Sequence, residues 1–249
     1  MKQNFLISTG GSGGHVIPAI ILYEHLKKDN NLIITTDKRG LKYINKENFN
    51  IEVIDTPKLN NFFFLPYNLF KVLYLTLRSF HIMKINKIDK IFSTGGYMSL
   101  PLVLAARILK LNIYLVEPNH ILGRANKFFL KSCRIIFCYT EKIKNFPEKF
   151  KHKKMIISPL VKKFIYDYKL VSNTKDRFTI LIVGGSQGAK IFDENLKNSI
   201  VNISKDNSIE IIQQTNEENI SILKNFYTKN NVKNEIFNFD KNFINIIKQ

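Results

Sequence analysis

Short apolar runs alternate with helix-like stretches along almost the whole chain. The runs 4–8, 32–36, 51–54, 90–93, 113–116, 134–139 and 155–158 are predicted to be strands. Between them, 18–28, 67–86, 100–110, 124–132 and 141–149 read as helices. Strands and helices in alternation define an α/β protein with a mostly parallel sheet covered by helices. A polar stretch, Asp167 to Arg177, then precedes a second start: strand 178–183, helix 190–204, strand 208–213, helix 217–230 and strand 235–239. The boundary near 165–176 divides the chain into two Rossmann-like domains, 1–166 and 167–249. Three parallel strands leave apolar faces uncovered, so the second domain is expected to be incomplete.

One segment departs from the alternation. Leu59 to Tyr67 is crowded with Phe62, Phe63 and Phe64. It leads into a helix where Leu69, Phe70, Leu73, Tyr74, Leu77 and Phe80 share space with Lys71, Arg78, His81 and Lys84. These rings either pack on the sheet or lie on an anionic membrane beside the basic residues. Composition leaves the choice open. With 38 Lys+Arg against 20 Asp+Glu the chain carries +18. That excess fits nucleic acid, an anionic membrane or a phosphate-rich substrate. It equally fits a genome biased toward Lys, Asn and Ile codons. The 45% hydrophobic content supplies a packed core and excludes a disordered chain. Cys133 and Cys138 share one apolar stretch without metal-ligand spacing, as reduced core residues of a cytosolic protein do. The chain opens directly on a strand, so no signal peptide is expected, and no run approaches the ~18 apolar residues of a membrane span.

Chemistry gathers at the strand ends. The first strand runs into Gly10-Gly11-Ser12-Gly13-Gly14-His15 with Pro18 following, and strand 178–183 runs into Gly184-Gly185-Ser186-Gln187-Gly188-Ala189. Glycine lets a backbone turn sharply and approach a ligand, and the helix behind it aims N–H groups at anions such as phosphate. Two such turns some 170 residues apart suggest two halves facing a shared cleft, the arrangement of a nucleotide-sugar enzyme. The G-x-G-x-x-G spacing of dinucleotide binding is absent, and the only acidic residue near the second strand's end is Asp37, followed by Lys38-Arg39. His15 lies where an imidazole can reach a bound ligand, or can simply pack at a helix terminus. Ser93-Thr94-Gly95-Gly96-Tyr97-Met98-Ser99 and Val116-Glu117-Pro118-Asn119 follow other strands, so they share the carboxyl rim where ligands bind. Glu117 there is either a site carboxylate or a cap for the next helix. No Asp-x-Asp and no metal-spaced cluster is visible, so a diphosphate leaving group would rely on helix N-termini and basic side chains.

These motifs resemble the MurG glycosyltransferases of bacterial cell-wall synthesis. The likeness rests on Gly10 to Pro18, on Gly95-Gly96-Tyr97-x-Ser99-x-Pro101, on Glu117-x-Asn119 with Asn126-Lys127, and on Gly184 to Ala189. It implies a GT-B fold and inverting transfer of N-acetylglucosamine (GlcNAc) from UDP-GlcNAc to the lipid-linked muramyl-pentapeptide, lipid I. It also implies work at the cytoplasmic face of the bacterial inner membrane, with no cofactor, no essential metal and no nucleic-acid partner. Carried over by residue, His15 and Glu117 would be catalytic. Ser12, Gly13, Gly14, Asn119, Lys162 and Ser186 would contact the donor, and Tyr97 and Asn126 would shape the acceptor side. Ser12 stands where the family usually has threonine. Lys162, in Pro159-Leu160-Val161-Lys162, replaces a donor-contacting arginine, keeping charge but losing the bidentate fork.

Family members continue beyond the position of Gln249 with a loop and helix that grip the nucleotide, so part of the donor pocket is expected to lie outside this chain. A non-catalytic module that binds the lipid-linked acceptor at the membrane is therefore the alternative. A nucleotide-dependent oxidoreductase is a weaker third reading.

Overall fold

The structure, a computed structural model of the chain, describes residues 2–57, 64–166, 177–184 and 190–238. It divides into two compact units, Met1–Tyr168 and Lys169–Gln249, each built on its own parallel sheet. The first unit holds β1 (Asn4–Ser8), β2 (Asn31–Thr36), β3 (Ile51–Val53), β4 (Lys90–Ser93), β5 (Asn112–Glu117), β6 (Ile135–Cys138) and β7 (Lys154–Ile156). Their spatial order is β3-β2-β1-β4-β5-β6-β7, and every neighbouring pair is parallel. Strand order reverses between β1 and β4. Chains leaving those two strands part toward opposite faces, which opens a crevice at the carboxyl edge.

The core explains why the strands read as unbroken apolar runs: they are buried on both faces. Leu6 enters one cluster with Ile91, Leu115 and Ile136, while its neighbours Phe5 and Ile7 enter the other with Ile34. Helix α1 (Gly13–Leu26) covers the Phe5 face through Val16, Ala19 and Ile20. Helices α2 (Leu65–Ile85) and α3 (Leu100–Ile108) cover the Leu6 face through Leu75, Met83, Leu102 and Val103. A row of rings runs across β1, β4, β5 and β6, with Phe5–Phe92, Phe92–Tyr114 and Tyr114–Phe137 centroids 5.6, 5.1 and 6.1 Å apart. Such cross-strand contacts hold the register. Two short helices, α4 (Arg124–Phe129) and α5 (Lys163–Tyr166), follow later in the unit.

Two expectations from the sequence fail here. Helix α1 begins at Gly13 rather than Pro18, with the extended residue Ser12 as its N-cap. Pro18 lies inside the helix, where its missing N–H leaves the Gly14 carbonyl without the usual donor. The expected helix 141–149 does not form. Lys144 instead lies along 120–122, its N–H donating to the His120 carbonyl at 2.8 Å and its carbonyl accepting from Leu122 at 3.0 Å. Asn145 then turns left-handed (φ 64°) ahead of Pro147, and a 3-10 turn covers Glu148–Lys153.

The second unit pairs β8 (Phe178–Ile182), β9 (Ile209–Gln214) and β10 (Lys233–Phe237) in the order β10-β9-β8, all parallel. Its core gathers Ile182, Ile200, Ile211, Leu223 and Tyr227 under α7 (Lys197–Asp206) and α8 (Ile220–Lys229). The helix expected over 190–204 is two helices, α6 (Lys190–Asn195) and α7, meeting at Leu196.

Cys133 and Cys138 are buried free thiols. Burial, reinforced by the nearby Glu117 carboxylate, pushes Cys138 up to about 12. Neither thiol is expected to react with iodoacetamide at pH 8 until the protein unfolds. Fast labelling of the native protein would contradict this packing.

Candidate active site

The rim is built from three strand ends. After β1, the chain turns at Gly10 and Gly11 because Asp37, at the end of β2 and 1% exposed, draws it in. Asp37 Oδ1 accepts the N–H of Gly11 at 2.8 Å and that of Gly40 at 2.9 Å. A Cβ on Gly10 would stand 2.8 Å from that oxygen and 2.8 Å from Met98 Cγ, so only glycine lets the turn close. The other oxygen, Oδ2, receives Arg39 Nε at 2.9 Å and Nη2 at 2.8 Å, and Nη2 also donates to the Tyr97 hydroxyl at 2.6 Å. Burial alone would raise the Asp37 carboxyl. The bonds from Gly11, Arg39 and Gly40 together outweigh it and hold the group below the usual carboxylate value.

After β4, Gly95 (φ 91°) and Gly96 (φ 85°) take left-handed backbone. Thr94 ties this turn to the first: its N–H donates to the Ser8 carbonyl at 3.1 Å and its hydroxyl to Thr9 at 2.8 Å. Its carbonyl lies 2.8 Å from His15 Nδ1. A carbonyl oxygen can only accept, so Nδ1 carries the hydrogen. In the neutral ring Nε2 then holds the lone pair of a base. His15 is partly exposed, and a Cβ on Gly96 would come 3.9 Å from its Cδ2. The imidazole thus sits between the two glycine turns, at the switch point of the sheet.

After β5, Glu117 is 1% exposed and accepts four hydrogen bonds. Oε1 takes the Asn119 backbone N–H at 3.2 Å and its Nδ2 at 3.0 Å. Oε2 takes the N–H of Gly123, the residue capping α4, at 2.8 Å and Asn126 Nδ2 at 3.0 Å. Both oxygens thus accept donors that shape the 117–126 loop. Asn126 is 2% exposed and also donates to the Val116 carbonyl at 3.2 Å. A Cβ on Gly95 would stand 3.3 Å from its Nδ2, so the third strand end packs on the second.

The structure therefore brings His15, Tyr97, Glu117 and Asn126 into one rim, with Ser12 and Gly14 exposed at the mouth of α1 and Gly13 buried behind them. Asn119 is exposed on the Glu117 loop. Lys162 is placed elsewhere. It follows Val161, whose carbonyl lies 2.9 Å from His25 Nε2. At 1.5 Å rise per residue, His25 is about 15 Å down α1 from His15. Ser186 lies outside the described residues. Sequence reasoning missed the roles of Asp37, Arg39 and Thr94. Asp37 was legible as an acid ending the second strand, yet its partner is the turn itself rather than a ribose. In the second unit it also missed Asp193, buried in α6, which accepts from Gln213 at 2.9 Å, Thr215 at 2.6 Å and Asn219 at 2.9 Å.

A doubly wound parallel sheet with glycine turns at its switch point, followed by a second parallel sheet, is the GT-B type of architecture. The chain matches the Glycosyltransferase family 28 N-terminal domain over residues 5–138 and the Glycosyltransferase family 28 C-terminal domain over 179–249. It is 44% identical to a Pelagibacter ubique protein named UDP-N-acetylglucosamine–N-acetylmuramyl-(pentapeptide) pyrophosphoryl-undecaprenol N-acetylglucosamine transferase, covering 100% of this chain and 70% of that one. A Rickettsia prowazekii protein of the same name is 33% identical, covering 97% of this chain and 71% of that one. Among solved structures, Acinetobacter baumannii MurG shares the fold at a TM-score of 0.74 and 23% identity, covering 99% of this chain and 71% of that one. The chain belongs to the MurG family of glycosyltransferases.

Proposed function

We infer that this protein is an inverting glycosyltransferase that moves GlcNAc from UDP-GlcNAc to the 4-hydroxyl of N-acetylmuramic acid in lipid I, forming lipid II for peptidoglycan. The observation that carries the mechanism is the orientation of His15. Thr94 fixes Nδ1 as a donor and leaves Nε2 as a base at the crevice. The acceptor hydroxyl attacks the anomeric carbon as His15 Nε2 takes its proton, and the bond to the UDP oxygen breaks. The departing diphosphate is met by N–H groups of the glycine turns and by basic side chains. On this reading the first unit holds the acceptor and the second contributes to the donor. Tyr97 and Asn126 shape the acceptor side, and Glu117 keeps their loop in place. Ser12, Gly13, Gly14, Asn119, Lys162 and Ser186 are assigned to the donor. Transfer of labelled GlcNAc from UDP-GlcNAc to a lipid I analogue is the direct test. Absence of product from the folded protein at saturating substrates would overturn the assignment.

The outer face of α2 supports a peripheral seat on the cytoplasmic leaflet of the plasma membrane. Tyr67, Phe70, Tyr74 and Leu77 are 65%, 72%, 61% and 62% exposed, with Lys71, Arg78 and Lys84 on the same helix. An apolar groove of about 480 Å³ opens beside them between α2 and α3, lined by Leu69, Leu73, Leu104 and Ile108. Among the described residues no helix is long and apolar enough to cross a membrane. Exposed apolar rows flanked by cations partition into anionic interfaces. Since each buried ring contributes about 1.5–3 kcal/mol, Phe70→Ser with Tyr74→Ser is expected to weaken binding to phosphatidylglycerol-containing vesicles at least tenfold. Unchanged co-sedimentation would remove α2 from the membrane contact.

A further inference from the structure

Arg39 is a cation held in place with part of its donor capacity unspent. Its Nε and Nη2 are fixed on Asp37 Oδ2, and Nη2 also reaches the Tyr97 hydroxyl. The guanidinium lies over the first glycine turn: a Cβ on Gly11 would be 3.5 Å from Nη2. It also faces the Tyr97 ring, 5.3 Å from Cζ to the centroid. Its side chain is nonetheless 47% exposed, and among the described residues Nη1 has no hydrogen-bond partner. Asp37, by contrast, is buried and bonded to Gly11 and Gly40 as well as to Arg39. One carboxylate therefore shapes the turn and aims the guanidinium. A permanently charged group with two open N–H bonds on Nη1 suits phosphate oxygens, and fixing it beforehand lowers the entropy lost on binding.

We propose that Arg39 binds the diphosphate of the lipid-linked acceptor and that Asp37 is the positioning residue that aims it. This rests on the acceptor reading given above for the first unit. The juxtaposition supplies the reason: Arg39 bridges the first glycine turn and Tyr97, so an anion held at Nη1 lies on the rim that also carries His15. Tyr97 then acts through Arg39, as one wall of its cradle.

The test is calorimetric binding to the whole chain of three probes: a short-chain lipid I analogue, farnesyl diphosphate and UDP. The wild type is expected to bind all three, the first two through Arg39. Arg39→Ala is expected to weaken both at least tenfold, and Arg39→Lys about fivefold, because an ammonium keeps the charge but cannot bond Asp37 and Tyr97 and still present two aimed N–H bonds. Lys38→Ala, an exposed neighbour losing the same charge, is expected to change either affinity less than twofold. Asp37→Asn should weaken binding as much as Arg39→Ala does, and the double variant no further, since the pair acts as one unit. If Arg39→Ala and Lys38→Ala behave alike while the lipid I analogue still binds the wild type, the Arg39 proposal falls and the function stands. A loss confined to UDP would move Arg39 to the donor and likewise overturn the proposal. If the wild type does not bind the lipid I analogue, both fall. Near-ultraviolet circular dichroism checks each fold. Should Asp37→Asn unfold, Arg39→Lys against Lys38→Ala decides.

Discussion

His15→Ala is expected to lower the turnover of GlcNAc transfer by about 10²–10⁴-fold, the usual contribution of a positioned general base. The acceptor KM should move little, because the imidazole's contacts are with the Thr94 carbonyl and the Gly96 turn rather than with a rigid binding wall. His15→Asn sharpens the experiment. A side-chain amide can still donate toward Thr94 but offers no basic nitrogen, so it should preserve the turn and the melting temperature while losing turnover. Near-normal turnover in either variant would remove His15 from the mechanism.

Glu117→Ala is expected to cost about 1–3 kcal/mol of stability, since its buried carboxylate satisfies donors from Asn119, Gly123 and Asn126. Glu117→Gln is nearly as harmful despite its shape. The amide nitrogen must face either the Gly123 and Asn126 donors or the two from Asn119, placing donor against donor. The two roles considered for this residue separate cleanly in a melting experiment. A proton-transfer residue would give a Gln variant of normal stability and low turnover. A loop organiser loses melting temperature and activity together, and lowering the temperature restores part of the activity. A stable, inactive Glu117→Gln would return the carboxylate to the chemistry.

Much of this architecture was legible along the chain because parallel strands, buried on both faces, write themselves as short apolar runs. The strands at 4–8, 90–93 and 113–116 fall within a residue of β1, β4 and β5 at both ends. The polar residues just beyond these strands were legible as a shared rim for the same reason, since every strand points the same way. What stayed hidden depends on contacts distant in sequence. The start of α1 is set by Asp37, 26 residues beyond Gly11, and no local propensity would begin a helix on Gly13-Gly14. The 141–149 stretch has helical composition, yet Lys144 is taken by the backbone at 120–122. Asp193 looks like any helix-surface acid until the fold sets it against Gln213 and Thr215 on the end of β9. Glu117 shows the same limit in reverse. Its position was read correctly as the strand end, but whether it serves chemistry or the loop is decided by four donors that only the fold assembles.

The rim of the first unit, between the two glycine turns, is expected to receive the lipid-linked acceptor with His15 at its centre. Titrating isotope-labelled protein with a soluble lipid I analogue, and following backbone amide and histidine ring resonances, tests it most directly. Saturable shifts are expected at Gly11, Gly14, His15, Gly96 and Tyr97, with the His15 ring keeping its Nδ1 hydrogen. Shifts confined to residues of the second unit, with the His15 ring unmoved at saturation, would contradict it.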